Sequence, residues 1–304
     1  MSLLIVGTLA FDSIETPFGK AEKIIGGAAT YIAWAASYFC HDIRLISIIG
    51  DDFPKEEITA LANRGVDTNG LKIVSGGKSF YWAGKYSDNL SRRDTLITEL
   101  NVLSEFDPVL PELYRTSDCL MLGNLTPDIQ LQVMRQMKRR PRIITLDTMN
   151  YWMDTTWEDL LKALKQVDIL SINDEEARQL SGEYSLVKAA KVIFSLGPKY
   201  LVIKKGEHGA FLFYQDHVFF APALPLLEIQ DPTGAGDSFA GGFMGYLANR
   251  KDQEFNTIKQ AIICGSAMAS FCVEAFGLDK LKNITGEELE QRVMQFREIV
   301  HVDF

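Results

Sequence analysis

Short apolar runs alternate with longer amphipathic segments along most of this chain. Runs rich in leucine, isoleucine and valine are typical of strands buried on both faces, and amphipathic segments are typical of the helices that cover them. The predicted strands are Leu3–Thr8, Ile43–Ile49, Asp118–Leu122, Arg142–Asp147, Asp168–Ile172 and Tyr200–Lys204. The predicted helices are Ala28–Phe39, Lys55–Asn63, Pro127–Lys138, Trp157–Val167, Asp174–Leu180 and Leu186–Ser195. This alternation predicts a mostly parallel sheet between two layers of helices.

The pattern changes beyond Gly209. Ala210–Tyr214 and His217–Ala221 are separated by two polar residues and predict an antiparallel hairpin. Longer helices are predicted at Ala235–Asn249, Phe255–Val273 and Thr285–Val300. The last of these begins with the spacing of a capping box, Thr285 to Glu288.

Two segments do not fit the alternation, Glu15–Ile24 and Ser79–Ile97. The first contains a Pro-Phe-Gly turn, and the second carries Phe80, Tyr81 and Trp82 before a polar stretch. Together they predict a small β-lid over the strand ends. The alternative is that they are two ordinary surface hairpins.

Composition narrows the class of protein. The 304 residues, 47% hydrophobic and 23% charged, are typical of an enzyme-sized globular protein, and we expect one domain over residues 1–304. A net charge of −9 argues against a nucleic-acid partner. No apolar run is long enough for a bilayer, and the first residues lack the basic start of a signal peptide. The four cysteines form no CxxC pair, as expected of reduced thiols, so we expect a cytoplasmic protein without a membrane partner.

The segment from Asp231 to Phe243 carries the strongest chemical signal. Gly234 and Gly236 leave the backbone bare where a helix begins, so several N–H groups can converge on an anion. Asp237 is a carboxylate at this anion-attracting site, and it could accept a proton from an attacking hydroxyl during phosphoryl transfer. The alternative is a helix-capping aspartate, which the helix dipole also favours.

The nine residues from Asp231 to Phe239 closely resemble the second signature of the ribokinase-like, PfkB-type carbohydrate kinases. Other landmarks follow in family order over nearly the whole chain: Gly26-Gly27 before the first helix, Asn173-x-x-Glu176 after a strand, and Lys205-Gly206-x-x-Gly209 after another. The resemblance implies a ribokinase-like three-layer α/β/α sandwich with a mostly parallel central sheet and a small β-lid. It also implies an ATP-dependent kinase acting on a hydroxymethyl group of a sugar or sugar-like metabolite.

The resemblance assigns roles at the phosphoryl-transfer site. Asp237 would be the general base, and Gly234, Ala235 and Gly236 would form the anion hole. Asn173, Lys205, Gly206 and Gly209 would bind ATP, and Glu176 would hold Mg²⁺ through water. Read without the family, the segment from Asn173 to Glu176 is simply an N-capped helix start, and the two glycines are a turn.

For the acceptor, the resemblance implies Asp12, Gly26, Gly27 and Tyr31. Asp12 is expected to end the first strand and to bind two sugar hydroxyls. Tyr31 stands where the ribokinase pattern has an asparagine, so ribose itself is in doubt. Its ring would stack on a sugar face or a base, or it would be a core residue.

The resemblance has further implications. Asp231 and Thr233 match the family's monovalent-cation positions, and K⁺ is the expected ion, with Cys272, Ala275 and Gly277 as further backbone candidates. The lid implies a homodimer. Two alternative functions stay open, a nucleoside kinase on the same fold and a non-catalytic sugar-binding sensor.

Overall fold

The computed structural model describes residues 1–90 and 92–301, so Ser91 of the predicted lid and residues 302–304 of the predicted domain lie outside the described residues. The strands are β1 Leu3–Val6, β2 Ala10–Thr16, β3 Gly19–Gly26, β4 Ile43–Gly50, β5 Val66–Val74, β6 Phe80–Tyr86, β7 Arg93–Glu99, β8 Cys119–Leu122, β9 Ile143–Asp147, β10 Ile169–Asn173, β11 Tyr200–Lys204, β12 Ala210–Tyr214 and β13 His217–Ala221. The helices are α1 Ala28–Ala36, α2 Lys55–Asn63, α3 Pro127–Gln136, α4 Asn150–Thr155, α5 Trp157–Leu164, α6 Asp174–Ser181, α7 Leu186–Ser195, α8 Ala235–Ala248, α9 Phe255–Cys272, α10 Asp279–Lys282 and α11 Gly286–Val300.

The central sheet has the order β13-β12-β11-β10-β9-β8-β1-β4-β5. Its strands run parallel from β5 to β11, and β12 and β13 form the predicted antiparallel hairpin. All six strands predicted from apolar runs are confirmed. Strand β5 was not predicted, because it lies at the sheet edge and its polar, partly exposed residues break the apolar run.

Helices cover both faces of this sheet, which confirms the three-layer prediction. Alternate residues of β1 enter different cores: Leu3 and Ile5 pack with α1, α8 and α9, whereas Leu4 and Val6 pack with α3, α5 and α7. The glycines of α8 bring it close to α1, since a Cβ on Gly241 would lie 2.4 Å from the carbonyl oxygen of Ile32. This packing fixes the beginning of α8 relative to the sheet.

A second sheet has the order β3-β2-β6-β7 and occupies both segments predicted as a lid. Its strands extend beyond the predicted bounds, to residues 10–26 and 80–99. This extension corrects the position of Asp12, which lies within lid strand β2 and not at the end of the first strand. The first strand ends at Val6, because the chain leaves the central sheet there and enters the lid.

The remaining local predictions hold. The capping box of α11 forms, with Thr285 and Glu288 exchanging side-chain and backbone hydrogen bonds. Each of the predicted helices is present, with ends shifted by a few residues at most. Within residues 1–90 and 92–301, no helix combines the length and apolar character that a bilayer crossing requires.

Candidate functional site

The candidate site lies where the carboxyl ends of β9, β10 and β11 meet the beginning of α8. These three strands are neighbours in the sheet, so their last residues, Asp147, Asn173 and Lys204, lie side by side. Polar residues at the carboxyl ends of parallel strands are the usual source of binding groups in open α/β sheets.

The turn before α8 depends on Gly234. Its φ of 76° is left-handed, and a Cβ there would lie 2.4 Å from the ring of Tyr31. The Tyr31 side chain is 1% exposed and supports this turn from the core side. Of the two interpretations that the sequence left open for Tyr31, burial favours the core residue over the ring that stacks on an acceptor.

Asp237 is the third residue of α8, one turn after Gly234, and its side chain is partly exposed. Burial and the neighbouring Asp147 raise its pKa to about 7, against the opposing charges of Lys204 and Arg93. A carboxylate with this pKa is divided between its two protonation states near neutral pH. It can therefore take up a proton at the point where the N-terminal amides of α8 attract an anion.

Asn173 and Glu176 hold each other in a capping box at the start of α6. The Asn173 side chain accepts from the Glu176 amide at 2.8 Å, and Glu176 Oε2 accepts from the Asn173 amide at 2.8 Å. The sequence alternative of an N-capped helix is therefore confirmed. Glu176 is buried, and burial and Asp147 raise its pKa to about 7. The box occupies one carboxylate oxygen and keeps the side chain beside Asp147 and Lys204.

The segment from Lys205 to Gly209 forms a tight turn between β11 and β12. The Lys205 amide donates to the Gly209 carbonyl at 2.8 Å, and a Cβ on Gly209 would lie 2.0 Å from the Ala221 carbonyl oxygen. Gly209 is thus needed by the turn itself. Gly206 is exposed with a φ of 52°, and a Cβ there would meet no atom of the described residues within 4 Å. The turn leaves open space at Gly206 for a ligand.

Asp12 approaches the site from the lid. Its side chain is 5% exposed, and burial, Asp231 and Asp237 raise its pKa to about 7, while the Gly27 amide and Arg93 lower it. A Cβ on Gly26 would lie 1.9 Å from Asp12 Oδ2, so only glycine leaves room for this carboxylate. Gly27, with a φ of 91°, begins α1.

The loop before α8 surrounds a second buried carboxylate. Asp231 Oδ1 accepts from the Thr233 amide at 2.8 Å, and Oδ2 accepts from the Gly277 amide at 3.3 Å. The Cys272 thiol donates to the Thr233 carbonyl at 3.4 Å. Burial raises the pKa of Asp231 against these hydrogen bonds. Asp231 forms no ion pair with any lysine, arginine or histidine of the described chain.

The inner face of the lid brings further groups to this loop. Tyr86 lies hydroxyl to hydroxyl with Thr233 at 3.0 Å, and Arg93 pairs in register with Tyr86. The Arg93 guanidinium lies 4.9 Å from the Trp82 ring centre, and Trp82 pairs in register with Asp12. The lid therefore presents a carboxylate, an indole ring and a guanidinium on one face.

Sequence reasoning missed Asp147, Lys204 and Arg93 as site residues. Asp147 and Lys204 end two correctly predicted strands, so the rule that strand ends carry binding groups could have found them. No local sequence feature pointed to Arg93, because the face of the lid on which it lies depends on the pairing of β6 with β7.

The site can thus hold an anion at the bare start of α8 and accept a proton one helical turn away. Glu176 and Asp147 offer carboxylates for a hydrated cation, and Asp12 can accept hydrogen bonds from hydroxyl groups. This arrangement suits transfer of an anionic group to an alcohol.

Comparison with known proteins agrees with these features. The family description "pfkB family carbohydrate kinase" matches residues 6–283. A cytidine kinase of Thermococcus kodakarensis is 30% identical over 259 residues, 84% of this chain and 91% of that protein. A ribokinase of Haemophilus influenzae is 28% identical over 290 residues, 91% of this chain and 90% of that protein. An E. coli protein described as a ribokinase II, solved with ATP and Mg²⁺, has a TM-score of 0.79 at 18% identity, covering 97% of this chain and 99% of that one.

Proposed function

Because this chain belongs to the pfkB family of carbohydrate kinases, we propose that Asp237 and the start of α8 transfer the γ-phosphoryl group of ATP to a hydroxymethyl group. The chain is an ATP-dependent phosphotransferase whose acceptor is a sugar or a nucleoside, and its fold is that of the ribokinases. The observation that carries the assignment of Asp237 is its place in the first turn of α8, one turn after Gly234, where burial and Asp147 raise its pKa to about 7.

The proposed reaction uses this geometry directly. The Asp237 carboxylate accepts the proton of the acceptor hydroxyl while the alcohol oxygen bonds to the γ-phosphorus. The bond to the β-phosphate oxygen breaks, and ADP leaves. The amides of Gly234, Ala235 and Gly236 stabilise the negative charge on the transferring oxygens. Asp12, with Gly26 and Gly27 beside it, positions the acceptor through its hydroxyl groups.

Two further groups fit the proposed nucleotide site. Gly206 and Gly209 shape an open turn where backbone can approach adenine and ribose, with Lys205 and Asn173 beside it. Glu176 fits a hydrated Mg²⁺, because its carboxylate is held in place by the capping box and Mg²⁺ retains several of its waters. Mg²⁺ would neutralise charge on the β- and γ-phosphates. The described residues contain no cluster that would hold a bare metal ion.

A nucleoside is the second candidate acceptor. The indole of Trp82 shares the inner lid face with Asp12, so an aromatic base could stack there while Asp12 binds the ribose. The cytidine kinase relative supports this candidate, and the ribokinase relative supports a free sugar. ADP release with a panel of pentoses, hexoses and ribonucleosides separates the two. Any acceptor that causes ADP release from ATP would also exclude the alternative of a non-catalytic sensor.

Asp237→Asn should reduce kcat by about 10² or more, because it removes the general base and keeps the shape of the side chain. The Kd for the ATP analogue AMP-PCP, measured calorimetrically, should change little. Asp216→Asn, in the exposed turn between β12 and β13, is the control and should retain full activity. Turnover near that of the unmodified protein in Asp237→Asn would exclude the assigned role.

We also propose that Asp231 and the carbonyl groups near Thr233 bind K⁺, with Cys272, Ala275 and Gly277 closing the site. A buried carboxylate without a cationic partner is costly, and a bound cation would relieve that cost. Its position directly before the glycine turn would let the ion strengthen the anion hole.

Replacing K⁺ by tetramethylammonium should therefore lower kcat by about tenfold or more, the scale of one lost electrostatic contact of about 1.4 kcal/mol. In Asp231→Asn, kcat should no longer depend on K⁺. The control variant Asp216→Asn should keep the K⁺ dependence of the unmodified protein. Equal rates in both salts would argue against the site.

A homodimer through the lid is a further proposal. Every residue of β7 is exposed, including Leu96 at 59% and Ile97 at 45%, and both line a groove of about 390 Å³ on the lid's outer face. The aromatic residues 80–82 of β6 are partly buried and add little to this surface.

Multi-angle light scattering should give twice the 34.1 kDa chain mass, and Leu96→Glu should shift the protein to monomer. Val109→Glu, exposed to 71% outside the lid, is the matched control. A monomer at high protein concentration would refute the dimer.

We also propose a cytoplasmic location, because Cys40, Cys119, Cys264 and Cys272 are all free and buried. Unpaired thiols are typical of reducing compartments.

A further inference from the structure

A lysine ammonium lies against the anion hole. Lys204 ends β11, and its side chain, 17% exposed, runs along the backbone of Gly236. Its Nζ is 3.3 Å, and its Cε 3.9 Å, from the point where a Cβ on Gly236 would lie. The missing side chain of Gly236 therefore leaves the room that the ammonium occupies.

The helix dipole of α8, taken alone, would disfavour a cation at this place. The beginning of a helix carries partial positive charge, which repels an ammonium and attracts anions. Burial also opposes charge on Lys204, yet Asp147, Glu176 and Asp237 outweigh it and raise its pKa. Lys204 is thus a cation at neutral pH, directed at the same point as the N-terminal amides of α8.

The contact that holds Lys204 is loose. Its Nζ lies 3.5 Å from Asp147 Oδ1, longer than the roughly 2.7–2.9 Å of a strong charge-assisted hydrogen bond. An ammonium has three donors, and among the described residues the ion pair of Lys204 is this one long contact, which leaves donors for a ligand. Asp147 itself accepts from the Thr148 amide at 3.0 Å, so its carboxylate stays in place when the lysine moves.

We propose that Lys204 is a catalytic residue that contacts the γ-phosphoryl group of bound ATP, exchanging its long contact with Asp147 for phosphate oxygens. The inference rests on the proposed function, because it needs a γ-phosphate at the start of α8. Lys204 forms no covalent bond and transfers no proton. Its charge stabilises the oxygens of the group that moves from the β-phosphate oxygen to the acceptor.

Calorimetry with Mg²⁺ and either ADP or AMP-PCP tests this contact independently of turnover. Lys204→Met should weaken AMP-PCP binding at least about tenfold, the effect of losing one hydrogen bond to a charged group, while the Kd for ADP changes less than about threefold. Its kcat should fall about 10²-fold or more. Lys204→Arg should recover part of both losses. Lys199→Met, at the residue directly before the same strand and with its side chain 71% exposed, is the matched control.

Lys204→Met leaves Asp147 without its cation, so the double variant Lys204→Met/Asp147→Asn removes both charges and guards against misfolding. It too should lose the preference for AMP-PCP over ADP. Equal weakening of both nucleotides, or an unchanged preference in either variant, would overturn the assignment to Lys204. Failure of the proposed function has a different signature: the unmodified chain would release no ADP with any acceptor, while the lysine-dependent preference persisted.

Discussion

Acidic side chains outnumber cations where the central sheet meets the lid, and the chemistry of the site depends on this imbalance. The carboxylates are Asp12, Asp147, Glu176, Asp231 and Asp237, and Lys204 and Arg93 are the cations that between them act on all except Asp231. Burial raises the pKa of all five carboxyl groups. A base is therefore available near neutral pH, at a place where backbone amides attract an anion.

The same imbalance lowers stability. A carboxyl group whose pKa is raised on folding binds its proton more tightly in the folded than in the unfolded chain. The folded state is therefore favoured at low pH and loses that advantage as pH rises from about 4 towards 7. Asp12, Glu176 and Asp237 all contribute in this direction. A cation bound beside these carboxylates would offset the free-energy cost of burying their charge.

Among the described residues, two hydrogen bonds connect the lid to the loop that carries Asp231. Tyr86 contacts Thr233, and the Thr16 hydroxyl donates to the Gln230 carbonyl at 3.0 Å. Any movement of the lid must therefore either break these contacts or move the loop with it. A lid that closed over an acceptor would therefore also affect the loop before α8, and the enclosed site would exclude water as a competing acceptor.

Much of the frame was predictable because apolar runs and capping signals are local. The six buried strands, the final hairpin and the capping box of α11 were found for that reason. The lid strands were located only roughly, since β2 and β6 pair across a long stretch of chain and their bounds depend on that pairing. Lys204 and Asp147 were visible as strand ends, but their shared contact depends on the order of β9, β10 and β11.

The pH dependence of kcat/KM for the acceptor, at saturating Mg·ATP, tests the central claim most directly. A base that must be ionised loses activity as pH falls through its pKa, so we expect a tenfold decrease per pH unit below about 7. A profile that stays flat from about pH 5 to 8 would contradict a carboxylate of raised pKa as the proton acceptor.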